Sequence, residues 1–377
     1  MKKLTILTIV GTRPELIRLS RILNKLDYYF NHLIAHTGQN YDYELNQIFF
    51  ENLEIRKPDV FFNAAGDTPG ETIGNILIET DKYLVEKKID ALLILGDTNS
   101  CLSSIVAKRK KIPIFHMEAG NRCFDLRVPE EINRKIVDHI ADINLTYSSI
   151  AKDYLIQEGL TPDKIICVGS PMKEVISYYL PKIKDSKILN NLSLTPNKYF
   201  LFSCHREENI DNEVNLLKLF DVIDKLADIY KIPIIFSVHP RTKLKIKSYK
   251  KTFSPLVKLL KPLGYFDYIK LQIESKVVLS DSGTITEESS LLNFPALNIR
   301  TTHERPEGME EASVMLVGMN IQRILQGLKI LENQHRDQLR TVNLVKDYSA
   351  DNVSEKIVRI ILSYIDYTNI YNWKKYL

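Results

Sequence analysis

The chain has 377 residues, of which 44% are hydrophobic and 26% are charged. This is the composition of a globular protein, and it excludes a disordered chain or a fibre. With 51 Lys and Arg against 47 Asp and Glu, the net charge of +4 does not favour a nucleic-acid-binding protein. Because one hydrophobic core rarely grows past about 250–300 residues, the length predicts two domains.

Neither a membrane segment nor a metal site is indicated. The apolar run Leu4–Val10 ends after seven residues at Gly11, and no run reaches the ~18 apolar residues that span a bilayer. The four cysteines are scattered without a C-x-x-C pair: Cys101, Cys123, Cys167 and Cys204. This argues against a disulfide framework or a zinc site. We therefore predict a cytoplasmic protein that binds no metal and does not enter a membrane.

Short apolar runs alternate with amphipathic stretches in the first half of the chain. The runs predict six strands: Leu4–Val10, His32–Ala35, Ala91–Leu95, Ile112–His116, Ile143–Thr146 and Ile165–Val168. The stretches between them predict helices: Glu15–Leu26, Tyr41–Phe50, Gly70–Lys87, Asn99–Lys110, Glu130–Ala141 and Ser149–Gly159. Strands buried on both faces are continuous Val, Ile and Leu runs, and helices form their crossovers. The pattern is typical of a doubly wound parallel sheet.

The alternation stops at residues 182–198, a polar segment that we predict to be a linker. A second series of strands follows: Tyr199–Ser203, Ile234–Val238, Tyr268–Leu271, Val277–Leu279 and Ala296–Arg300. The predicted domains are therefore residues 1–181 and 199–350. The helical, aromatic segment 351–377 is expected to pack against the first domain. Two such domains place two ligand crevices opposite each other, at the carboxyl ends of the strands.

Two turns after predicted strands carry charged residues in the first domain. The segment from Gly11 to Glu15 ends a strand and opens a helix, whose free N–H groups attract phosphate. Arg13 and Arg18 add positive charge there. Asp97 follows the strand Ala91–Leu95 and precedes a helix, so it either caps that helix or acts in catalysis.

Three acids are expected to converge on this edge of the first sheet. Glu118 ends a strand and Glu130 begins a helix, and both join Asp97. Crowded carboxylates in a partly dry cleft have raised pKa values, as general acid–base catalysis at neutral pH requires. A purely structural role as first-turn acids stays open for Glu130 and Glu131. A structural role for all three sites together is the less favoured interpretation.

Strand ends of the second domain carry groups that suit a pyrophosphate. His205 and Arg206 follow the first of its strands, and His239 follows the next, although His205 alone is also compatible with a histidine satisfied locally. Ser282 and Gly283 form a small N–H-rich turn before a helix, which is an anion site. The first turns of that helix carry Glu288, and a charged loop carries Arg305. There is no G-x-G-x-x-G motif, so a nicotinamide cofactor is not supported.

In this order and spacing, GTRPE, GDT, EAG, PEEINR, SCHREEN, SDSG-x-x-x-EE and ERPE resemble the motifs of the non-hydrolysing UDP-N-acetylglucosamine 2-epimerase family. The resemblance extends from about Leu4 to about Gly318. It implies a GT-B-like α/β architecture, in which two Rossmann-like doubly wound domains face each other across a cleft, usually in a homodimer. It also implies a UDP-sugar substrate and no cofactor.

The resemblance implies roles for individual residues. Asp97, Glu118 and Glu130 match the catalytic acids of the family, without deciding which removes and which returns the proton, and His205 matches a histidine near the leaving phosphate. UDP-binding positions are matched by Arg13, Ser282, Gly283 and Glu288. The substrate-binding set predicted here also contains Arg18, Arg134, Arg206, His239 and Arg305.

Some departures from the family pattern leave the substrate open. Arg18 stands where lysine is common, and its guanidinium forks whereas an ammonium does not. Residues 119–129 also differ from the typical N-acetylglucosamine enzyme. A 6-deoxy or 2,3-diacetamido uronic-acid nucleotide of a surface-polysaccharide pathway is therefore an alternative substrate. The rival functions are a GT-B glycosyltransferase, a hydrolysing epimerase and a nucleotide-sugar-binding module without activity.

Overall fold

The structure, a computed structural model, describes residues 3–39, 49–204, 206–238, 240–336 and 339–375. The chain forms two compact units. The first unit comprises Met1–Ser177 and Asp347–Leu377, and the second comprises Tyr178–Lys346. Among the described residues, no helix combines the length and apolar character that crossing a bilayer requires.

The first unit is built on a parallel sheet. Its described strands are β1 (Thr5–Val10), β2 (Asn31–His36), β3 (Val60–Phe61), β4 (Ala91–Leu95), β5 (Ile114–Ala119), β6 (Ile143–Thr146) and β7 (Ile165–Cys167). Their order in the sheet is β3-β2-β1-β4-β5-β6-β7, and every pair is parallel. The strand order reverses between β1 and β4, which places the ligand crevice of such a sheet beyond their carboxyl ends.

The second unit repeats this arrangement. Its described strands are β8 (Phe200–Ser203), β9 (Ile234–Ser237), β10 (Val257–Leu260), β11 (Val277–Ser280), β12 (Ala296–Asn298) and β13 (Met315–Leu316). The order is β10-β9-β8-β11-β12-β13, again all parallel. The reversal falls between β8 and β11, so the crevice of this sheet lies beyond these two strands.

Helices form the crossovers of both sheets. In chain order they are α1 (Arg13–Tyr29), α2 (Pro69–Glu86), α3 (Ser104–Arg109), α4 (Pro129–Ile140), α5 (Ser149–Gln157), α6 (Met172–Asp185), α7 (Ile188–Asn191), α8 (Glu207–Ile210), α9 (Glu213–Tyr230), α10 (Pro240–Ser248), α11 (Tyr265–Glu274), α12 (Thr284–Leu292), α13 (Pro306–Glu310), α14 (Ile321–Leu331) and α15 (Val353–Tyr371). Short 3₁₀ turns occupy Asn99–Ser103, Pro162–Lys164 and Lys346–Tyr348. The prediction of two Rossmann-like, parallel-sheet α/β domains is confirmed.

One predicted strand is wrong. Residues 268–271 lie inside α11, where Ile269 and Leu271 are fully buried and Gly264 caps the helix start. The β-propensity of Tyr and Ile misled the prediction, since tertiary packing overrides propensity. The neighbouring strand β10 was missed because it is an edge strand, in which Lys258 and Leu259 are exposed. Of the helix predicted at 41–50, residues 41–48 lie outside the described residues.

The predicted linker differs from the structure. The two units divide within α6, between Ser177 and Tyr178, and residues 182–198 belong to the second unit. Ile188, Leu189 and Leu194 are buried in the core that contains Phe294. The prediction was wrong because this short apolar stretch is surrounded by Lys, Asp, Ser and Asn residues.

The helix α15 belongs to the first unit. Lys25 on α1 forms an ion pair with Glu355, and the backbone N–H of Ser354 donates a hydrogen bond of 2.9 Å to Glu174. Ile357, Ile361 and other apolar side chains on one face of α15 are buried. Residues 347–377 therefore complete the unit that residues 1–177 begin.

We expect Ile361→Ala to lower the free energy of unfolding by about 2–5 kcal/mol, because it leaves a cavity in the core. Ile361 is 0% exposed, whereas its neighbour Leu362 is 59% exposed. Leu362→Ala is the matched control and should change stability by less than about 0.5 kcal/mol. Urea unfolding followed by circular dichroism measures both variants. Equal losses would contradict the packing of α15 described here.

Candidate active site

Glu15 connects the turns after β1 and β4, the two strands between which the strand order of the first sheet reverses. Its carboxylate accepts hydrogen bonds from the N–H groups of Gly11 at 2.6 Å and Thr12 at 2.7 Å, and from the hydroxyl of Thr98 at 2.7 Å. Burial raises the pKa of Glu15 above its usual value, although these hydrogen bonds oppose that rise. The N–H groups at this turn were predicted to bind a phosphate, but those of Gly11 and Thr12 donate to Glu15 instead. The role of Glu15 was missed.

Asp97 is held by side chains from the start of α4. Arg134 Nε lies 3.1 Å from Asp97 Oδ2, and Arg134 Nη1 lies 2.8 Å from the buried Glu131. Asn133 Nδ2 donates to the backbone oxygen of Asp97 at 2.9 Å. The side chain of Arg134 is 2% exposed and that of Asp97 is 19% exposed. Asp97 is thus held by Arg134 and Asn133 and stays partly exposed.

Glu118 lies beside the turn that carries Asp97. A Cβ atom built on Gly96 would be 3.9 Å from Glu118 Oε2. Arg18 forms an ion pair with this carboxylate, and Asn121 Nδ2 donates to its other oxygen at 3.2 Å. Glu118 has a φ of 63°, a left-handed conformation that is uncommon for a residue with a side chain and that often marks functional sites.

The remaining predicted residues of the first unit lie at helix starts. Glu130 occupies the first turn of α4 and is half-buried. It precedes Arg134 by four residues and therefore shares its face of the helix. Arg13 lies in the first turn of α1, and its guanidinium carbon Cζ is 5.6 Å from the centre of the Phe49 ring. The structure thus brings Asp97, Glu118 and their two arginines to one edge of the sheet, with Glu130 on the helix that holds Asp97.

In the second unit, Asp281 connects the turns after β8 and β11, the two strands between which the strand order reverses. It is fully buried. Its Oδ2 accepts hydrogen bonds from the backbone N–H of Arg206 and the amide of Asn209, both at 3.0 Å, and from the thiol of Cys204 at 3.1 Å. The turn after β8 is thereby fastened to the turn after β11. Asp281 lies in the SDSG motif but was not among the site residues predicted from the sequence.

Arg206 lies beside the turn formed by Ser282 and Gly283. A Cβ atom built on Gly283 would be 3.8 Å from Arg206 Nη2 and 3.5 Å from Glu304 Oε2. Arg206 Nη1 lies 3.0 Å from Glu304, which also contacts Arg300 at 3.2 Å. Glu304 therefore positions two arginines near the start of α12. It was not among the site residues predicted from the sequence.

Glu288 and Arg305 are also close to α12. Glu288 is buried, and its Oε2 accepts a hydrogen bond of 2.7 Å from Gln272 Nε2. Arg305 Nη2 lies 3.4 Å from Glu287, one residue earlier on the same helix. His205 and His239 lie outside the described residues, so their placement stays a prediction. Within the part of the chain that the structure describes, no cluster of His, Cys, Asp and Glu is arranged to hold a metal ion.

Two doubly wound sheets, each with charged turns at the reversal of its strand order, define a two-domain α/β protein of the nucleotide-binding type. Residues 24–362 match the family model described as UDP-N-acetylglucosamine 2-epimerase. The chain belongs to this family, and the resemblance inferred from its motifs is confirmed.

Three relatives illustrate the family. The structure of UDP-N-acetylglucosamine 2-epimerase from Rickettsia bellii is 48% identical, with a TM-score of 0.91 over 99% of this chain and 100% of that one. The Methanocaldococcus jannaschii UDP-GlcNAc 2-epimerase, crystallised with UDP-GlcNAc and UDP, is 34% identical, with a TM-score of 0.89 over 96% and 100%. A UDP-2,3-diacetamido-2,3-dideoxy-D-glucuronate 2-epimerase of Pseudomonas aeruginosa is 33% identical over 318 residues, 83% of this chain and 88% of its own length.

Proposed function

We propose that the protein is a non-hydrolysing UDP-N-acetylglucosamine 2-epimerase, which inverts C2 of a UDP-linked 2-acetamido sugar. Membership of the family supports this function. The observation that carries it is the pairing of two acids at the reversal of the first sheet. Asp97 and Glu118 lie beside the same turn, and arginines hold both carboxylates.

The chemistry explains why the site needs acids. C2 of the sugar is not next to a carbonyl, so its proton is barely acidic until UDP begins to leave C1. A carboxylate then takes the C2 proton, the C1–O bond breaks with its electrons going to UDP, and a C1=C2 double bond forms. A carboxylic acid next returns a proton to the opposite face of C2 while UDP re-forms the C1–O bond. Substrate and product are isomers, so no oxidant or reductant is consumed.

Asp97, Glu118 and Glu130 are the proposed proton donors and acceptors. Epimerisation needs a group on each face of C2, since the proton leaves one face and returns to the other. Two acids beside one turn, with a third on the helix that holds Asp97, supply more than one such group. Arg18 and Arg134 keep the carboxylates oriented. His205 is proposed to assist the departure of the phosphate.

The proposed UDP contacts come mainly from the second unit. Ser282 and Gly283 precede a nine-residue helix, at whose start the helix dipole favours phosphate. The N–H of Ser282 donates to Ser280 Oγ at 3.1 Å, so the N–H groups proposed for phosphate are those of Gly283 and of the first helical turn. Arg206 and Arg305 add positive charge beside this helix, and Glu288 is proposed to hold the ribose. Arg13 and His239 complete the proposed set.

A modified sugar is the second candidate substrate. The Pseudomonas aeruginosa relative is named for a 2,3-diacetamido uronic acid, and residues 119–129 differ from the typical N-acetylglucosamine enzyme. The full proposal is a cytoplasmic homodimer that makes a precursor of surface polysaccharide.

Proton NMR of the purified protein with UDP-N-acetylglucosamine in deuterated water, without an acceptor, tests the function. We expect the anomeric signal of UDP-N-acetylmannosamine, with deuterium at C2. Free N-acetylmannosamine and UDP would instead indicate a hydrolysing epimerase. If the spectrum does not change, the 6-deoxy and diacetamido uronic-acid nucleotides are tested in the same way, and no turnover of any of them would contradict the proposal.

A further inference from the structure

A buried ionic network lies behind the two acids. His116 on β5 is fully buried. Its Nε2 lies 2.9 Å from the backbone oxygen of Gly96, and its Nδ1 lies 3.0 Å from Asp138 Oδ1. The carbonyl oxygen can only accept a hydrogen bond, so Nε2 donates to it. His116 therefore connects the turn after β4 to Asp138 on α4.

Asp138 and Arg122 extend this network. Asp138 Oδ2 lies 2.7 Å from Arg122 Nη1, and Arg122 Nε lies 2.7 Å from Glu158 Oε1. Burial raises the pKa of Asp138, but the contacts with His116 and Arg122 outweigh it and hold that pKa below its usual value. The guanidinium of Arg122 is thus paired with two carboxylates, and this pairing offsets the cost of burying charge.

The network contacts the backbone before Asp97 and after Glu118. His116 binds the oxygen of Gly96, directly before Asp97. Asp138 accepts from the N–H of Gly120 at 3.2 Å, and Arg122 Nη1 donates to the oxygen of Asn121 at 2.7 Å. Asn121 in turn contacts Glu118 through its amide. One cluster therefore fastens the turn after β4 to the turn after β5.

We propose that His116, Asp138 and Arg122 are positioning residues. They hold Asp97 and Glu118 in the relative positions that proton transfer at C2 requires. This inference rests on the proposed function. The three side chains are at most 1% exposed, so none of them touches the substrate. The left-handed φ of Glu118 is unfavourable for a residue with a side chain, and such a conformation persists only where its surroundings enforce it. Without the network, the Glu118 carboxylate shifts away from C2.

The test compares Asp138→Asn with Asp142→Asn. Asp142 is 1% exposed, accepts from the N–H of Ile114 at 3.0 Å and pairs with Lys108 at 2.6 Å. Both carboxylates are thus buried and paired with a cation. Each also accepts from a backbone N–H, Asp142 from Ile114 in β5 and Asp138 from Gly120 just after β5. They differ in position, since Asp142 lies at the amino end of β5 and Asp138 at the carboxyl end. Asp142 plays no part in the proposed site.

For Asp138→Asn, we expect kcat to fall by about 10- to 100-fold, because a displacement of about 1 Å has an effect of that size. KM should stay within about threefold, since substrate binding is not altered. Hydrogen–deuterium exchange, followed by mass spectrometry, should become faster in peptides covering residues 118–124. Asp142→Asn should leave kcat within about twofold and leave exchange in that segment unchanged.

Equal losses of kcat in the two variants, measured where both are fully folded, would overturn the proposal. If Asp138→Asn does not fold, His116→Gln is measured against the same control, because glutamine removes the ring nitrogen Nδ1 that lies next to Asp138. If the wild-type protein epimerises no substrate, the proposed function fails. In that case the exchange comparison still decides whether the network holds the turn: faster exchange only in the Asp138 variant supports it, and equal exchange overturns it.

Discussion

Asp97→Asn and Glu118→Gln should each lower kcat by about 10²- to 10⁴-fold, the usual contribution of a general acid or base. Each amide keeps nearly the shape of the carboxylate but cannot take up or release the C2 proton. UDP affinity should stay within about threefold, because the proposed UDP contacts lie mainly in the second unit. Loss of deuterium incorporation at C2, followed by NMR, and UDP titration by calorimetry measure the two effects.

Asp90→Asn is the matched control for Asp97→Asn. Asp90 Oδ2 accepts a hydrogen bond of 2.8 Å from the N–H of Thr5, and it directly precedes β4, whereas Asp97 lies beyond the other end of that strand. The same substitution at the amino end of the strand should leave turnover unchanged. Normal turnover in both Asp97→Asn and Glu118→Gln would remove these acids from the mechanism.

Gly120→Ala should destabilise the first unit by roughly 2–5 kcal/mol. Gly120 has a φ of 80°, and a Cβ atom there would lie 2.3 Å from the backbone oxygen of Ala151. The left-handed conformation and the collision with α5 both oppose a side chain. Because the collision is with backbone, a rotamer change cannot relieve it. Thermal unfolding and urea unfolding measure the loss.

Gly159→Ala separates the two causes. Gly159 has a φ of 92°, but nothing lies within 4 Å of its Cβ position. It should therefore show only the cost of the backbone conformation, about 1–2 kcal/mol. A loss at Gly120 no larger than that at Gly159 would contradict the close approach of Gly120 to α5.

The sequence was most informative where one strand ends and a helix begins. Ala91–Leu95 and Ile143–Thr146 were predicted with the bounds that the structure has, because continuous apolar runs characterise buried parallel strands. Asp97 and Glu118 were selected for their positions at strand ends, and the structure places both beside Gly96. Local pattern was sufficient for these elements because the physical cause is local.

Partners that are distant in the chain could not be predicted in the same way. Arg18 and Glu118 are 100 residues apart, and Arg134 and Asp97 are 37 apart. Both arginines were predicted to bind the substrate, and the structure pairs them with the acids. Whether an arginine contacts solvent, the substrate or a carboxylate depends on which strands become neighbours in the sheet. No sequence pattern within a single segment determines that strand order.

The first unit consists of two separate segments of the chain, so it cannot be completed until the end of the chain leaves the ribosome. Residues 178–346 form a unit from one continuous segment, and a domain folds as it emerges. The sheet of the first unit emerges earlier, but α15 is translated only after the whole second unit. Until then the face of α1 that α15 covers is exposed, so the domain that begins first is the one that is completed last. Chaperone binding during translation should therefore concentrate on α1.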